Sequence, residues 1–450
     1  MSWRDEADGL FARKWRALPD AQRTPQQVAG VAAVACGATH SIMERCNFAC
    51  TSCYLTELAN ATEPLPFPQT QAQLHELRRH LGDGGKAQIT SGEVTLLPVS
   101  ELGRIVAYAR QIGLDPMVMT NGERWLESPE QLEALVREYG LDKVSIHIDT
   151  TQRGRRELVL GLSERDLHPL RDRFAGLIRD VRRKTGRAVH AAQTVTVTED
   201  NLDGVPDVTR WALDHADAFR LVSFLPVASV GRTEDRRSSA ITLERVWEFV
   251  CVGAGKNLNR HAMHFGHTEC NITVPLVVLR CGGERHLVEV VRADEAWDLS
   301  VFSWVLRNLH PVLEFRDGLA ANALRIFKGV LTRPRKALEF LAYALYRLWG
   351  ERQGMARLAR ELVRFRRLRV HPILLVVHKF MNPGELDTPL GRERLDSCVF
   401  KLPVNGRMVS MCEMNGTGLR RELNQVGLRV RAPEWAAELT SQATPERNDA

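Results

Sequence analysis

The chain has 450 residues, 44% of them hydrophobic and 26% charged, and a formal net charge of +6. That is the balance of a soluble globular protein, with room for one barrel-sized domain and smaller units. Its nine cysteines are too sparse for a disulfide scaffold, the charged start Met1-Ser2-Trp3-Arg4-Asp5-Glu6 has no apolar signal core, and no apolar run approaches the ~18 residues of a membrane span. A cytoplasmic protein with reduced thiols is therefore expected.

Residues 1–35 read as a polar helical lead-in. From 36 to 232 short apolar strands alternate with amphipathic helices, the pattern of β/α units around a parallel sheet. Strands are expected at 39–44, 87–90, 117–120, 144–149, 192–198 and 219–226. Six strands of this kind predict an α/β fold, a partial (β/α)6 TIM-like barrel with a C-terminal α+β extension. Leu102, Ile105, Val106, Ala109 and Ile112 recur with helical period before Gly113. Ser128-Pro129-Glu130-Gln131 reads as an N-cap serine with a capping-box glutamine, and Gly140 as the stop of that helix.

After 232 the alternation ends. Residues 233–299 form a cysteine-containing extension, with a helix near 241–252 and strands in 264–292. Residues 300–370 form a basic segment whose apolar faces include Phe302, Trp304, Val305, Leu309, Leu324, Ile326, Phe327, Phe340, Leu341, Leu345 and Trp349. Within 301–370 stand 15 Lys and Arg against 5 Asp and Glu, a local +10 that leaves the rest of the chain at −4. Such a segment is either a helical subdomain with a solvated basic face or a contact with anionic membrane surface that leaves the protein membrane-peripheral. Nucleic acid is not expected, because no recognised motif accompanies the charge. Residues 371–432 read as a cysteine-containing strand unit with a hairpin turn at Pro403-Val404-Asn405-Gly406-Arg407, and 433–450 as a flexible tail.

Chemistry concentrates first in Glu44-Arg45-Cys46-Asn47-Phe48-Ala49-Cys50-Thr51-Ser52-Cys53-Tyr54. Three thiolates on a four-iron cluster leave one iron without a protein ligand. A structural zinc knuckle and three unrelated buried thiols are the competing readings. Zinc takes four closed ligands, whereas this run offers three cysteines and no histidine. The spacing of Cys46, Cys50 and Cys53, with Tyr54 directly after, resembles the CxxxCxxC signature of the radical S-adenosylmethionine (radical SAM) superfamily. The resemblance implies a 4Fe-4S cluster whose open iron chelates SAM. Reduced by a donor such as flavodoxin or ferredoxin, the cluster cleaves SAM to a 5'-deoxyadenosyl radical.

The second expected strand ends in Thr90-Ser91-Gly92-Glu93-Val94-Thr95, which resembles the family's GGEP motif and implies contact of Ser91, Gly92 and Glu93 with the SAM amino group. Glycine at 92 would permit a close backbone approach. Asn121 ends the third strand, and alternation sends Ser145, His147 and Asp149 of the fourth to one face. Family members use these strand ends for ribose and carboxylate contacts. A hydrogen-bonded core histidine is the other reading of His147. Thr194, Thr196 and Arg232 extend the candidate set.

Cys270, Cys281, Cys398 and Cys412 could together ligate an auxiliary iron-sulfur cluster. Scattered buried thiols are the alternative, and Cys36 and Cys251 look structural. The run His378-Lys379-Phe380-Met381-Asn382, then Cys398, then Cys412-Glu413-Met414-Asn415, resembles a block of the tetraether-lipid-synthase and class D methylene-folate-dependent methyltransferase group. Asn382 stands where that group has an acid, and its rubredoxin-like CxxC pair has no counterpart here. The resemblance implies methylation or C–C bond formation on a small molecule or lipid, with methylenetetrahydrofolate as a further cofactor. Two other functions compete: a non-catalytic zinc or iron-sulfur module contacting nucleic acid or membrane, and a peptide-modifying radical SAM maturase. Residues 1–35 look too short for the leader-binding domain of such a maturase.

Overall fold

The computed structural model describes residues 3–155, 161–233, 241–292, 296–302, 304, 334–365 and 367–429. The expected tail 433–450 and the apolar positions Val305, Leu309, Leu324, Ile326 and Phe327 lie outside the described residues.

Six strands, β1 (Cys36–Ala38), β2 (Gly85–Ile89), β3 (Leu114–Thr120), β4 (Lys143–His147), β5 (His190–Val197) and β6 (Phe219–Pro226), lie side by side in chain order, each parallel to the next. Helices α1 (Trp3–Ala17), α2 (Phe67–Leu81), α3 (Val99–Gln111), α4 (Glu123–Glu127), α5 (Pro129–Tyr139), α6 (His168–Thr185), α7 (Val205–Asp214) and α8 (Leu243–Ala254) precede, connect or follow them. The helices of the βα units pack on the curled sheet, and apolar residues of both layers form one core. Ile146 and Ile148 are buried in it with Leu132 and Val136 of α5 and Phe174 and Ile178 of α6. Alternation therefore leaves Ser145 and His147 on the inner face, where the strand ends open.

β1 lies wholly before the expected 39–44, and none of those six residues is in a strand. Ser41 has φ 58°, a left-handed conformation incompatible with an extended run, so the chain turns there into the cysteine loop. Ser128 begins α5 without a side-chain cap bond. It also closes α4, its N–H donating to Arg124 O at 2.8 Å, and its ψ of 75° is not that of an N-cap. Gly140 does end α5, at φ 74°.

The later strands extend both edges of the same sheet. At one edge β9 (Arg369–His378) runs parallel beside β6, followed by the antiparallel hairpin of β7 (Asn271–Cys281) and β8 (Glu284–Glu289). At the other, β10 (Phe400–Val404) runs parallel beside β1 and pairs with β11 (Arg407–Ser410). Asn405 and Gly406, both at positive φ, form the hairpin turn between them. The rings of His378 at the end of β9 and Phe400 on β10 stand 6.2 Å apart, so the strands that flank the β1–β6 run on its two sides approach each other in a seam. The basic segment contributes α9 (Pro334–Gly350) and α10 (Arg352–Phe365); α11 (Pro389–Asp396), α12 (Met411–Gly416) and α13 (Leu419–Arg429) complete the described chain.

Candidate active site

Three strand-end loops grip the cysteine loop by its backbone. After β2, Gly92 N donates to Met43 O and Glu93 N to Arg45 O, both at 2.9 Å. A Cβ on Gly92 would stand 2.2 Å from Glu44 O, so the glycine is required by this contact within the chain. After β4, Arg153 and Thr151 carbonyls accept from Ala49 N (2.8 Å) and Thr51 N (2.9 Å). After β6, Arg232 N donates to Cys53 O at 2.8 Å, Cys53 N donates to Thr233 Oγ1 at 3.2 Å, and Gly231 lies against the Tyr54 carbonyl.

This grip turns Cys46, Cys50 and Cys53 toward one cavity of about 240 Å³, walled also by Tyr54, Ser91, Gly92, Glu93, Asn121, Ser145, His147, Thr194 and Thr196. Asp149 sits behind His147, fully buried. Most polar groups in the wall brace one another. Glu93 accepts from Thr95 N and Oγ1 (3.0 and 2.5 Å), Thr120 Oγ1 (2.6 Å) and Asn121 N (2.7 Å), tying β2 to β3. Asn121 Nδ2 donates to Asn47 Oδ1 at 2.8 Å, and Ser145 Oγ meets Thr194 Oγ1 at 3.1 Å. His147 Nε2 lies 2.5 Å from Asp149 Oδ2, which also accepts from Thr196 N at 2.6 Å. Burial pushes the Asp149 carboxyl up, but the His147 charge and these hydrogen bonds outweigh it and hold it below the usual carboxylate range. Burial raises the Cys46 thiol to about 11 and the Cys50 thiol further still, so loading a metal there must displace protons.

Two contributors carry no local sequence signal. Glu44 Oε1 accepts from Ser41 N (3.1 Å), Ser91 Oγ (2.9 Å) and Arg420 Nη1 (3.0 Å). Arg420, on α13, lies 4.7 Å over the Tyr54 ring, while the Tyr54 hydroxyl donates to Ser91 O. Glu44 and Arg420 are 376 positions apart, and only the fold joins them.

Cys270, Cys398 and Cys412 line a second, smaller cavity of about 20 Å³ in the seam, with His267, His378 and Arg394. Arg394 Nε donates to Cys270 Sγ at 3.4 Å. Phe380, Met381, Phe400, Met411 and Cys412 line both cavities. Cys281 is not brought to this group. It ends β7 ten residues beyond Asn271, about 33 Å away by strand rise. Cys36, by contrast, packs against the same small apolar cluster as Cys398, its Sγ 3.4 Å from Val399 O.

Residues 40–218 match the family model described as the radical SAM superfamily. This segment is a radical SAM domain. Membership implies a four-iron cluster and SAM, and the donor set fits: three free thiols from one loop line one cavity, and a guanidinium stands beside one of them, Arg232 Nη2 donating to Cys53 Sγ at 3.3 Å. Among the described residues no three His, Cys, Asp or Glu side chains form a group for a single metal ion. A four-iron cluster instead takes each thiolate on a different iron.

Similar solved structures include SuiB of Streptococcus suis bound to the precursor peptide SuiA, at 12% identity and TM-score 0.37, covering 50% of this chain and 48% of that one. They also include methylornithine synthase (PylB), at 14% identity and TM-score 0.33, covering 58% and 72%. A third is anSMEcpe with bound AdoMet, at 15% identity and TM-score 0.30, covering 42% and 50%. The chain spans about half the length of the SuiB structures it matches. No curated protein matches it. No helix among the described residues is long and apolar enough to cross a membrane.

Proposed function

We propose that the protein is a radical SAM enzyme in which Cys46, Cys50 and Cys53 hold a 4Fe-4S cluster and the adjoining cavity takes SAM and substrate. When bound and reduced, these groups supply a 5'-deoxyadenosyl radical able to abstract hydrogen from an unactivated carbon. One observation carries the reading: three thiols of one loop face a cavity together with the Ser91, Gly92 and Glu93 strand end, inside the segment matched to the family.

The chain's own residues position and exclude. Glu93 and Asn121 fix the β2 and β3 ends against the cysteine loop. His147, held through Nε2 by Asp149, keeps its second ring nitrogen for a polar group of a bound molecule. Leu225, Val227, Phe380, Phe400 and Met411 give the cavity an apolar wall, which suits an apolar small molecule or lipid and keeps water from the reacting carbon. Methylation or C–C bond formation, with methylenetetrahydrofolate as donor in the first case, is the finer proposal, resting on the 378–415 resemblance.

A second iron-sulfur cluster on Cys270, Cys398 and Cys412 is favoured by their shared cavity. Anaerobic reconstitution tests both sites: about four irons per chain are expected from the first cluster alone and about eight with a second. Cys46→Ala must lose about four irons. A chain that binds stoichiometric zinc and no iron overturns the reading.

A further inference from the structure

Helix α9 carries an apolar stripe that the rest of the described structure leaves uncovered. Leu338, Leu341, Leu345 and Trp349 are 68%, 58%, 60% and 71% exposed. At 100° per residue these four positions fall within one sector of the helix. The opposite sector is anchored. Arg347 Nη1 donates to Asp298 Oδ2 at 3.0 Å and to Val290 O at 3.1 Å, and the Tyr343 ring meets Trp297 at 5.5 Å. The helix is thus held rigidly by one side and presents four large apolar side chains on the other, a feature monomeric soluble surfaces rarely keep without use.

Charge and dimensions indicate what the stripe meets. Between 334 and 365 the sequence has 7 Lys and Arg against 3 Asp and Glu, and Arg335, Arg352, Arg357, Arg360 and Arg364 are exposed. One of the acids, Glu351, is turned onto His286 at 2.9 Å. Arg352 lies 5.2 Å from the Trp349 ring, pairing a cation with an indole as at the water boundary of a bilayer. A 17-residue helix offers a strip about 25 Å long and one side chain wide, far below the roughly 800 Å² per partner of a standard protein interface. A lipid surface accepts single amphipathic helices of this kind, with apolar side chains in the acyl boundary and basic ones at the headgroups.

We propose that α9, flanked by the basic face of α10, docks the protein in the plane of an anionic phospholipid surface. The apolar stripe inserts and the arginines meet lipid phosphates and carboxylates. This docking is independent of the metal chemistry and does not require a loaded cluster.

The test is co-sedimentation of the full chain with vesicles of phosphatidylcholine alone and with about one-third phosphatidylserine. Wild type should pellet with the anionic vesicles and be released by salt. The double substitution Leu341→Asp and Leu345→Asp, at exposed positions, should keep the wild-type thermal unfolding and lose binding about tenfold or more. A Trp349→Phe comparison reports the site: the tryptophan blue shift on adding vesicles should vanish. The proposal is overturned if wild type binds neither vesicle, if the double variant binds as well as wild type, or if wild type is a dimer that the variant converts to monomer. The last outcome would make the stripe a self-association face.

Discussion

The Arg232 guanidinium donates to Cys53 Sγ at 3.3 Å while its backbone N–H donates to the Cys53 carbonyl at 2.8 Å. One residue of the β6 loop therefore holds both ends of the last cysteine. A positive charge beside a thiolate ligand stabilises the more negative, reduced form of a cluster. Arg232→Gln should therefore lower the midpoint potential by roughly 20–40 mV, the one-electron equivalent of about 0.5–1 kcal/mol for a partly exposed charge. Arg232→Lys should recover part of the shift. Potentiometric titration followed by EPR reads both, and unchanged SAM affinity in Arg232→Gln separates charge tuning from direct contact with the cofactor.

Gly92→Ala should be costly because its Cβ would stand 2.2 Å from a backbone carbonyl that cannot swing away. A loss of about 2–4 kcal/mol is expected, with displacement of the cysteine loop. Thermal unfolding and iron content after reconstitution should both fall. A variant with wild-type values for both would contradict the grip described between the two loops.

Glu93→Gln replaces a carboxylate that accepts four hydrogen bonds with an amide that has one acceptor oxygen, turning an NH2 toward a donor. About 2–3 kcal/mol should be lost in denaturant unfolding. Ser145→Ala, which removes a single hydroxyl contact to Thr194, should cost about 1 kcal/mol or less.

The barrel was legible in the sequence because each β/α unit carries its own period and stop signals, as Leu102 to Ile112 and Gly140 show. Cys46, Cys50 and Cys53 were legible because all three sit within one loop. Seeing what holds that loop required the fold: Glu44 with Arg420 and Arg232 with Cys53 are pairings made by topology, and no local pattern encodes them. Cys281 misled for the same reason. Eleven positions separate it from Cys270 in the sequence, yet an extended strand places them at opposite ends of β7. Ser41 breaks the expected 39–44 strand through its positive φ, and the strand lies at 36–38 instead; residue type alone does not announce that conformation.

Asp115 supplies a pH signature. It is 1% exposed and bound by Lys86 Nζ at 2.5 Å and Lys143 Nζ at 2.7 Å. Burial pushes its carboxyl up, but the two ammonium groups outweigh burial and hold it at about 2. The folded value lies below the unfolded one, so the stabilisation is fully present above about pH 4 and is lost as pH falls toward 2. With solvent screening at the partly exposed lysines it amounts to about 1–2 kcal/mol. Asp115→Asn should be less stable than wild type by that amount at pH 7, and the gap should close between pH 4 and 2 in acid-dependent unfolding.

If Cys46, Cys50 and Cys53 hold the proposed cluster, this chain cleaves SAM reductively. Formation of 5'-deoxyadenosine from SAM is measured with the anaerobically reconstituted protein and dithionite, wild type against Cys46→Ala. Wild type should release 5'-deoxyadenosine and Cys46→Ala none above background. Equal release by both, or none by an iron-loaded wild type that binds SAM, would rule out cleavage at the Cys46, Cys50 and Cys53 site.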